Sequence, residues 1–241
     1  MIKKIDLKTI MYKIKRRARK YIRIFLDFVF TIICNQIYFL KKTYSKRKIN
    51  YIIKNKSSEF LIKLNLGCGL DYKIGWINID NNSDQNIVRV DIKWDLRRPL
   101  PFKDNSVDLI FNEHFLEHLT VEDGIKALCD FRRILRPKGV IRIAMPDLKT
   151  VIDEYLDPNW KQRAWLSKFG MSHVQTQAEL ININFHAWGH KYLYNKEELE
   201  RRLREVGFYE IRFCKWRESC LYELNDLETR DESTLIVEAV K

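Results

Sequence analysis

Seven short apolar runs, each of strand length, punctuate the second three-quarters of the chain and leave room for helices between several of them. They are Phe60 to Leu66, Trp76 to Asp80, Ile87 to Val90, Val107 to Asn112, Val140 to Met145, Tyr209 to Cys214 and Thr234 to Val240. Short, mostly apolar runs of this kind read as buried strands. The order of strand and helix predicts an α/β fold with a parallel-rich sheet covered on both faces. Helix starts are marked by Thr120 with Asp123, and by Asn195 with Glu198, each a capping pair three residues apart. Gly207 supplies a stop, and Pro137-Lys138-Gly139 is expected to turn the chain from a helix into the Val140 strand.

The N-terminal quarter has a different character. Residues 1–57 hold seventeen Lys and Arg against Asp6 and Asp27, whereas the rest of the chain holds 27 bases against 30 acids. The formal net charge of +12 is therefore the property of an arm, and the slightly acidic body argues against a nucleic-acid footprint across its main face. Within the arm, Ile10, Ile14, Tyr21, Ile24, Phe28 and Ile32 make one helical stripe, and Lys13, Arg16, Lys20, Arg23, Asp27, Thr31 and Asn35 make the opposite one. Asp27, Asn35 and Gln36 interrupt the apolar stretch from Ile24 to Leu40. The expectation is a basic amphipathic helix lying in the plane of an anionic membrane rather than spanning it. A helix packed on protein is the alternative. Tyr44 to Ser58 reads as a linker, so the division is 1–57 for arm and linker and 58–241 for the domain. Five cysteines without a CxxC pair fit a reducing compartment.

The chemistry concentrates at the ends of the strands. At Leu64-Asn65-Leu66-Gly67-Cys68-Gly69 a strand runs into two glycines, which let a ligand approach the backbone, and Asp80 ends the next strand where a carboxylate can accept the two hydroxyls of a ribose. The competing reading, a nicotinamide-dependent dehydrogenase, is discounted because Tyr72 occupies the place of the third glycine of the dinucleotide fingerprint. His114 with His118, and His186 with His190, are each four apart, which puts each pair on one face wherever the backbone is helical. His114, oriented by Glu117 or His118, is the candidate general base. Asp157 to Asn184 has the position of an acceptor-binding insertion, extending over about 157–194. His186, Trp188 and His190 beyond it are candidate acceptor contacts, as is Asp147, whose alternative role is a helix cap. Two HxxxH pairs can also bind a metal, but no HExxH occurs and no metal is expected.

Taken together, "LNLGCG…GWINID", "DLRRPLPFKDNSVDLIFNEHFLEHL", "RILRPKGVIRIAMPDL" and "EVGF" resemble the class I S-adenosylmethionine-dependent methyltransferase family, close to its type 11 branch and to members found with surface-polysaccharide genes. The resemblance implies a Rossmann-like, seven-stranded, mostly parallel sheet with helices on both faces and a final antiparallel β-hairpin, and S-adenosylmethionine as cofactor. It places Asn65, Gly67, Cys68 and Gly69 along the methionine end, Asp80 at the ribose, Asp95 and Leu96 at the adenine, and Asn112 and Glu113, with His114, beside the sulfonium. The sequence departs from the family in two ways: an amide, Asn65, stands where an acid is usual, and only ten residues separate Gly69 from Asp80, so a loop from Leu70 to Gly75 replaces the first helix. The expected activity is O-methylation of a saccharide or lipid-linked saccharide, by a cytoplasmic enzyme peripheral to the inner membrane face. The alternatives are a non-catalytic cofactor-binding subunit, or a small-molecule or RNA methyltransferase.

Overall fold

The structure is a computed structural model that describes residues 7–55, 61–81 and 89–241, and the side chains of 7–19, 41 and 52–55 are not described. The chain divides into two compact units, 1–51 and 52–241. The first is one helix, α1, Leu7–Asn55. It runs through most of the expected linker, because Tyr44 to Asn55 contains no Gly or Pro to stop it. Its exposed apolar surface is also broader than the expected stripe. Ile24, Phe25 and Leu26 are consecutive and all exposed, as are Phe28, Phe30 and Phe39. Thr31 and Thr43 donate their hydroxyls to the carbonyls of Asp27 and Phe39, which hides two polar groups against the backbone. Ile10, Ile14, Lys13 and Arg16 of the two expected stripes lie outside the described side chains.

The second unit is built on a seven-stranded sheet of order β3-β2-β1-β4-β5-β7-β6. Its strands are β1 (Lys63–Leu66), β2 (Ile77–Asp80), β3 (Ile92–Lys93), β4 (Val107–Glu113), β5 (Leu135–Met145), β6 (Tyr209–Phe213) and β7 (Leu235–Val240). All pairings among β1 to β5 are parallel, and β7 is antiparallel to both β5 and β6. The third strand falls at Ile92–Lys93 rather than Ile87 to Val90; Ile87 and Val88 lie outside the described residues, and Arg89 and Val90 are not in a strand. Register explains the shift, since Ile79 and Asp80 pair with Ile92 and Lys93.

No helix follows β1. Residues 70–76 form turns, as the short spacing to Asp80 requires, and Asn78 fastens them: its amide donates to the carbonyls of Lys73 and Trp76 and accepts from Lys73 N–H. After β4 come α2 (Val121–Ile134), then α3 (Leu148–Leu156), α4 (Ala164–Lys168), α5 (Gln177–His186) and α6 (Lys196–Glu205). Thr120 and Asn195 cap α2 and α6 as their spacing predicts, and Gly207, at φ +92°, ends the α6 turn. The Pro137-Lys138-Gly139 stretch is not a separate turn. It is an irregularity within β5, which begins directly after α2, and the partner of Val107 is Leu135 while that of Leu109 is Val140. Lys138 takes a positive φ there, and its N–H donates to the Lys241 carbonyl.

One face of the sheet is covered by irregular chain. Trp76, Leu109, Phe111 and Leu224 cluster there, with Val140 and Leu227 against them. Arg142 on β5 is fully buried and lies 2.6 Å from both Glu228 and Glu238. The guanidinium therefore ties the segment between β6 and β7 to the sheet. Removing one side of a buried charge group leaves uncompensated charge, a loss of about 3–5 kcal/mol. Arg142→Ala is expected to lower the free energy of urea unfolding by about that amount, and a loss below about 1 kcal/mol would show that Glu228 and Glu238 stay satisfied without it.

Candidate active site

The carboxyl ends of β1, β2 and β4 meet where the strand order places them side by side. At the end of β1, Gly67 (φ +71°) and Gly69 (φ +49°) both adopt left-handed backbone, for different reasons. A Cβ on Gly67 would come within 2.9 Å of Phe115 Cβ, so this glycine permits close packing. A Cβ on Gly69 would meet nothing within 4 Å, so this one opens onto space. Gly67 and Cys68 donate to the Ile79 carbonyl, and Gly69 N–H donates to Asp80 Oδ2 at 2.9 Å. The glycine loop and the carboxylate that ends β2 are thus one hydrogen-bonded unit. Burial, with Asp80 and Asp71 nearby, pushes the Cys68 thiol up to about 12, so Cys68 is neutral filler and not a nucleophile.

Several expected contacts are redirected. Asn65 Nδ2 donates to the Asp71 carbonyl and to Asn78 Oδ1, so its amide holds the loop that replaces the first helix. Glu113 accepts from Thr229 N–H and hydroxyl, Arg230 N–H and the Ser233 hydroxyl, which commits its carboxylate to the segment before β7 rather than to a cofactor. Strand alternation is the reason: Glu113 is two residues from Phe111 and shares its face of the sheet. Asp95 is gripped by Arg97 through side-chain and backbone bonds, which hold its carboxyl below the usual range, with Arg98 adding to the charge. Leu96 is buried. Asn112 donates to the Leu66 carbonyl at 2.7 Å, and its buried Oδ1 has no hydrogen-bond partner. Asp147 is a cap: its Oδ1 accepts from Lys149 N–H at the start of α3.

His114 follows β4 at φ +49°, a left-handed position that costs a non-glycine residue about 1–2 kcal/mol. Its N–H donates to the Ala144 carbonyl, which holds the turn. Its Nδ1 lies 3.1 Å from Glu117 Oε1, and its buried Nε2 has no partner. Burial lowers the pKa of His118, partly opposed by Glu117.

The two i,i+4 histidine pairs do not act as pairs. His114 precedes the one-turn helix Leu116–His118, and α5 ends at His186. Instead His118 meets His190, with ring centroids 5.0 Å apart, and His190 meets Trp188 at 5.7 Å, which meets Phe169 at 5.8 Å. His186 is exposed and stands outside this row. The signals that sequence reasoning missed are Phe169 and the Thr176 capping box, whose S/T-x-x-E spacing is legible and which starts α5. The insertion has its own small core of Trp160, Leu166, Val174 and Leu180.

Residues 78–143 match the family described as a methyltransferase domain. Two curated relatives are uncharacterized proteins. One, from Methanocaldococcus jannaschii, is 28% identical over 155 residues, which are 58% of this chain and 60% of that protein. The other, from a transposon of Streptomyces fradiae, is 28% identical over 114 residues, 39% of this chain and 32% of that protein. The chain thus spans less than two thirds of the length of either. Among solved structures, a SAM-dependent methyltransferase from Archaeoglobus fulgidus aligns with TM-score 0.46 and 19% identity, covering 83% of this chain and 94% of that one.

S-adenosylmethionine is the cofactor that this domain implies. The site fits it: open space over Gly69, a carboxylate fixed at the end of β2, and an orphaned amide oxygen on Asn112 where β4 ends. Hydrogen bonds to a charged acceptor are worth about 1.5–3 kcal/mol each. Asp80→Ala is accordingly expected to raise the dissociation constant for S-adenosylmethionine by about ten- to a hundredfold in calorimetry, and an unchanged constant would remove Asp80 from the ribose. The stretch that matches the methyltransferase-domain family, residues 78–143, runs from β2 into β5 and so includes the carboxyl ends of β2 and β4, with Asp80 and Asn112, that border this crevice.

Proposed function

We propose that the chain O-methylates a saccharide or lipid-linked saccharide hydroxyl at the inner face of a membrane. The observation that carries the catalytic part is His114: a buried imidazole just after β4 with Nδ1 3.1 Å from the Glu117 carboxylate and Nε2 without a partner. S-adenosylmethionine, when bound, supplies an electrophilic methyl group. The protein's own task is alignment of a hydroxyl and removal of its proton. His114 Nε2 accepts that proton, and Glu117 favours the tautomer with Nδ1 protonated and then steadies the imidazolium. The row His118, His190, Trp188 and Phe169 supports a saccharide, because a half-exposed aromatic platform covers the flat face of a sugar ring while polar ring edges meet its hydroxyls. Trp188 takes φ +57°, an uncommon backbone position for a bulky residue, and its ring sits between those of Phe169 and His190.

Support for the membrane comes from α1. Its segment Lys20–Tyr51 is long and apolar enough to cross a bilayer by length and composition. Clusters of Lys and Arg stand on both sides of the apolar stretch, at Lys13 to Arg23 and at Lys41 to Lys48, and crossing would carry one of them to the far side. An in-plane helix keeps both on anionic lipid, at about 1 kcal/mol per residue near the surface. The slightly acidic body gives nucleic acid no comparable surface.

His114→Ala is expected to lower turnover by about 10²- to 10⁴-fold with S-adenosylmethionine affinity unchanged; mass spectrometry of a surface-glycan extract with labelled cofactor reads it. Normal turnover would return His114 to a purely structural role. Sedimentation with anionic liposomes tests the arm: the full chain should pellet and a chain lacking residues 1–51 should not. Equal pelleting of the two would place the anchor elsewhere.

A further inference from the structure

Glu117 is wholly buried, and neither of its carboxylate oxygens receives a well-aligned hydrogen bond; the nearest polar neighbour is His114 Nδ1, 3.1 Å from Oε1. A carboxylate in that state lacks a counter-charge. Two imidazoles stand beside it. One ligand atom each from Glu117, His118 and His190 lie within 4.8 Å of one another. His190 Nδ1 is 2.7 Å from the Asn184 carbonyl, which can only accept, so Nδ1 carries the proton and Nε2 presents a lone pair. His118 Nδ1 lies beside the backbone of Gly189, 3.7 Å from where a Cβ on that glycine would stand. Ligating histidines are commonly oriented by a backbone carbonyl on the other ring nitrogen.

The convergence is built by main chain. Lys191 and Tyr192 both donate N–H to the Glu117 carbonyl, at 2.7 and 3.2 Å, and so clamp the loop that carries His190 against the turn that carries Glu117 and His118. Leu148 N–H donates to the Tyr194 carbonyl and anchors the far end of the same loop to the start of α3.

We propose that Glu117, His118 and His190 bind a divalent first-row transition cation, of the zinc, cobalt or manganese class, with coordination positions left open toward the aromatic platform. Two imidazoles and one carboxylate suit such ions better than magnesium or calcium, which prefer all-oxygen sites. The open positions would take hydroxyl oxygens of the acceptor. That role rests on reading this sheet edge as the methyl-transfer site, whereas cation binding itself does not. The sequence carries no HExxH and so gives no metal expectation. The structure takes one histidine from each pair and adds the glutamate between His114 and His118.

The test uses the full chain, stripped with a chelator and titrated with Co²⁺ by visible absorption and with Zn²⁺ by calorimetry. One equivalent should bind, with a cobalt ligand-field spectrum. His190→Ala and Glu117→Gln should each weaken binding by at least about tenfold, while the exposed His173→Ala binds as the parent does. His190 is only partly buried, so its variant retains a folded protein to measure even if Glu117→Gln melts early. Failure of stoichiometric binding, or binding that both variants leave unchanged, would overturn the site. Asp80→Ala separates this from the cofactor reading: it should lose S-adenosylmethionine affinity and bind Co²⁺ normally, and loss of both together would count against an independent cation site.

Discussion

Three successive residues at the end of β4 are bound to three different parts of the domain, and the candidate active site depends on that divergence. Asn112 reaches sideways to the Leu66 carbonyl on β1, Glu113 accepts four kinds of donor from the segment before β7, and the N–H of His114 goes to Ala144 on β5. A left-handed turn at a histidine is unfavourable alone, and persists where its neighbours are over-determined. Here they are pinned on both flanks of the sheet. The imidazole is therefore delivered to the crevice by a rigid strand end rather than by a loop free to choose its conformation.

Much of this frame is legible in the sequence. Buried strands announce themselves as apolar runs, two helix starts show their caps, and the ten-residue spacing between Gly69 and Asp80 forbids a helix that the structure indeed lacks. The third strand was displaced because only two residues pair there, too few for hydrophobicity to mark. Side-chain commitments were less legible. Glu113 and Asn65 look like site residues on a linear reading, yet both face covering chain, and the partners that claim them lie far away in sequence, as Thr229 does. Histidine spacing misled for a related reason. A four-residue interval brings side chains together only on a continuous helix, and both intervals here cross a helix end.

The absent first helix has a structural price that other segments meet. Where a helix would cover the sheet, Trp76, Leu224 and Leu227 do so, with Lys73 donating to the Leu227 carbonyl and Arg142 held between Glu228 and Glu238. Irregular chain can serve as a covering layer if its polar groups are satisfied, and charged anchors with defined partners accomplish that. The stability of this face thus resides in polar pairing as much as in apolar contact.

The small core of Trp160, Leu166, Val174 and Leu180 closes on itself, with Trp165, Met171 and Ile183 packed around it. The segment nevertheless does not float free: Lys168 reaches Asp231 and Glu232 in the chain before β7, and Gln177 donates to the Tyr155 carbonyl at the end of α3, so a local core is moored to the sheet at two separate points.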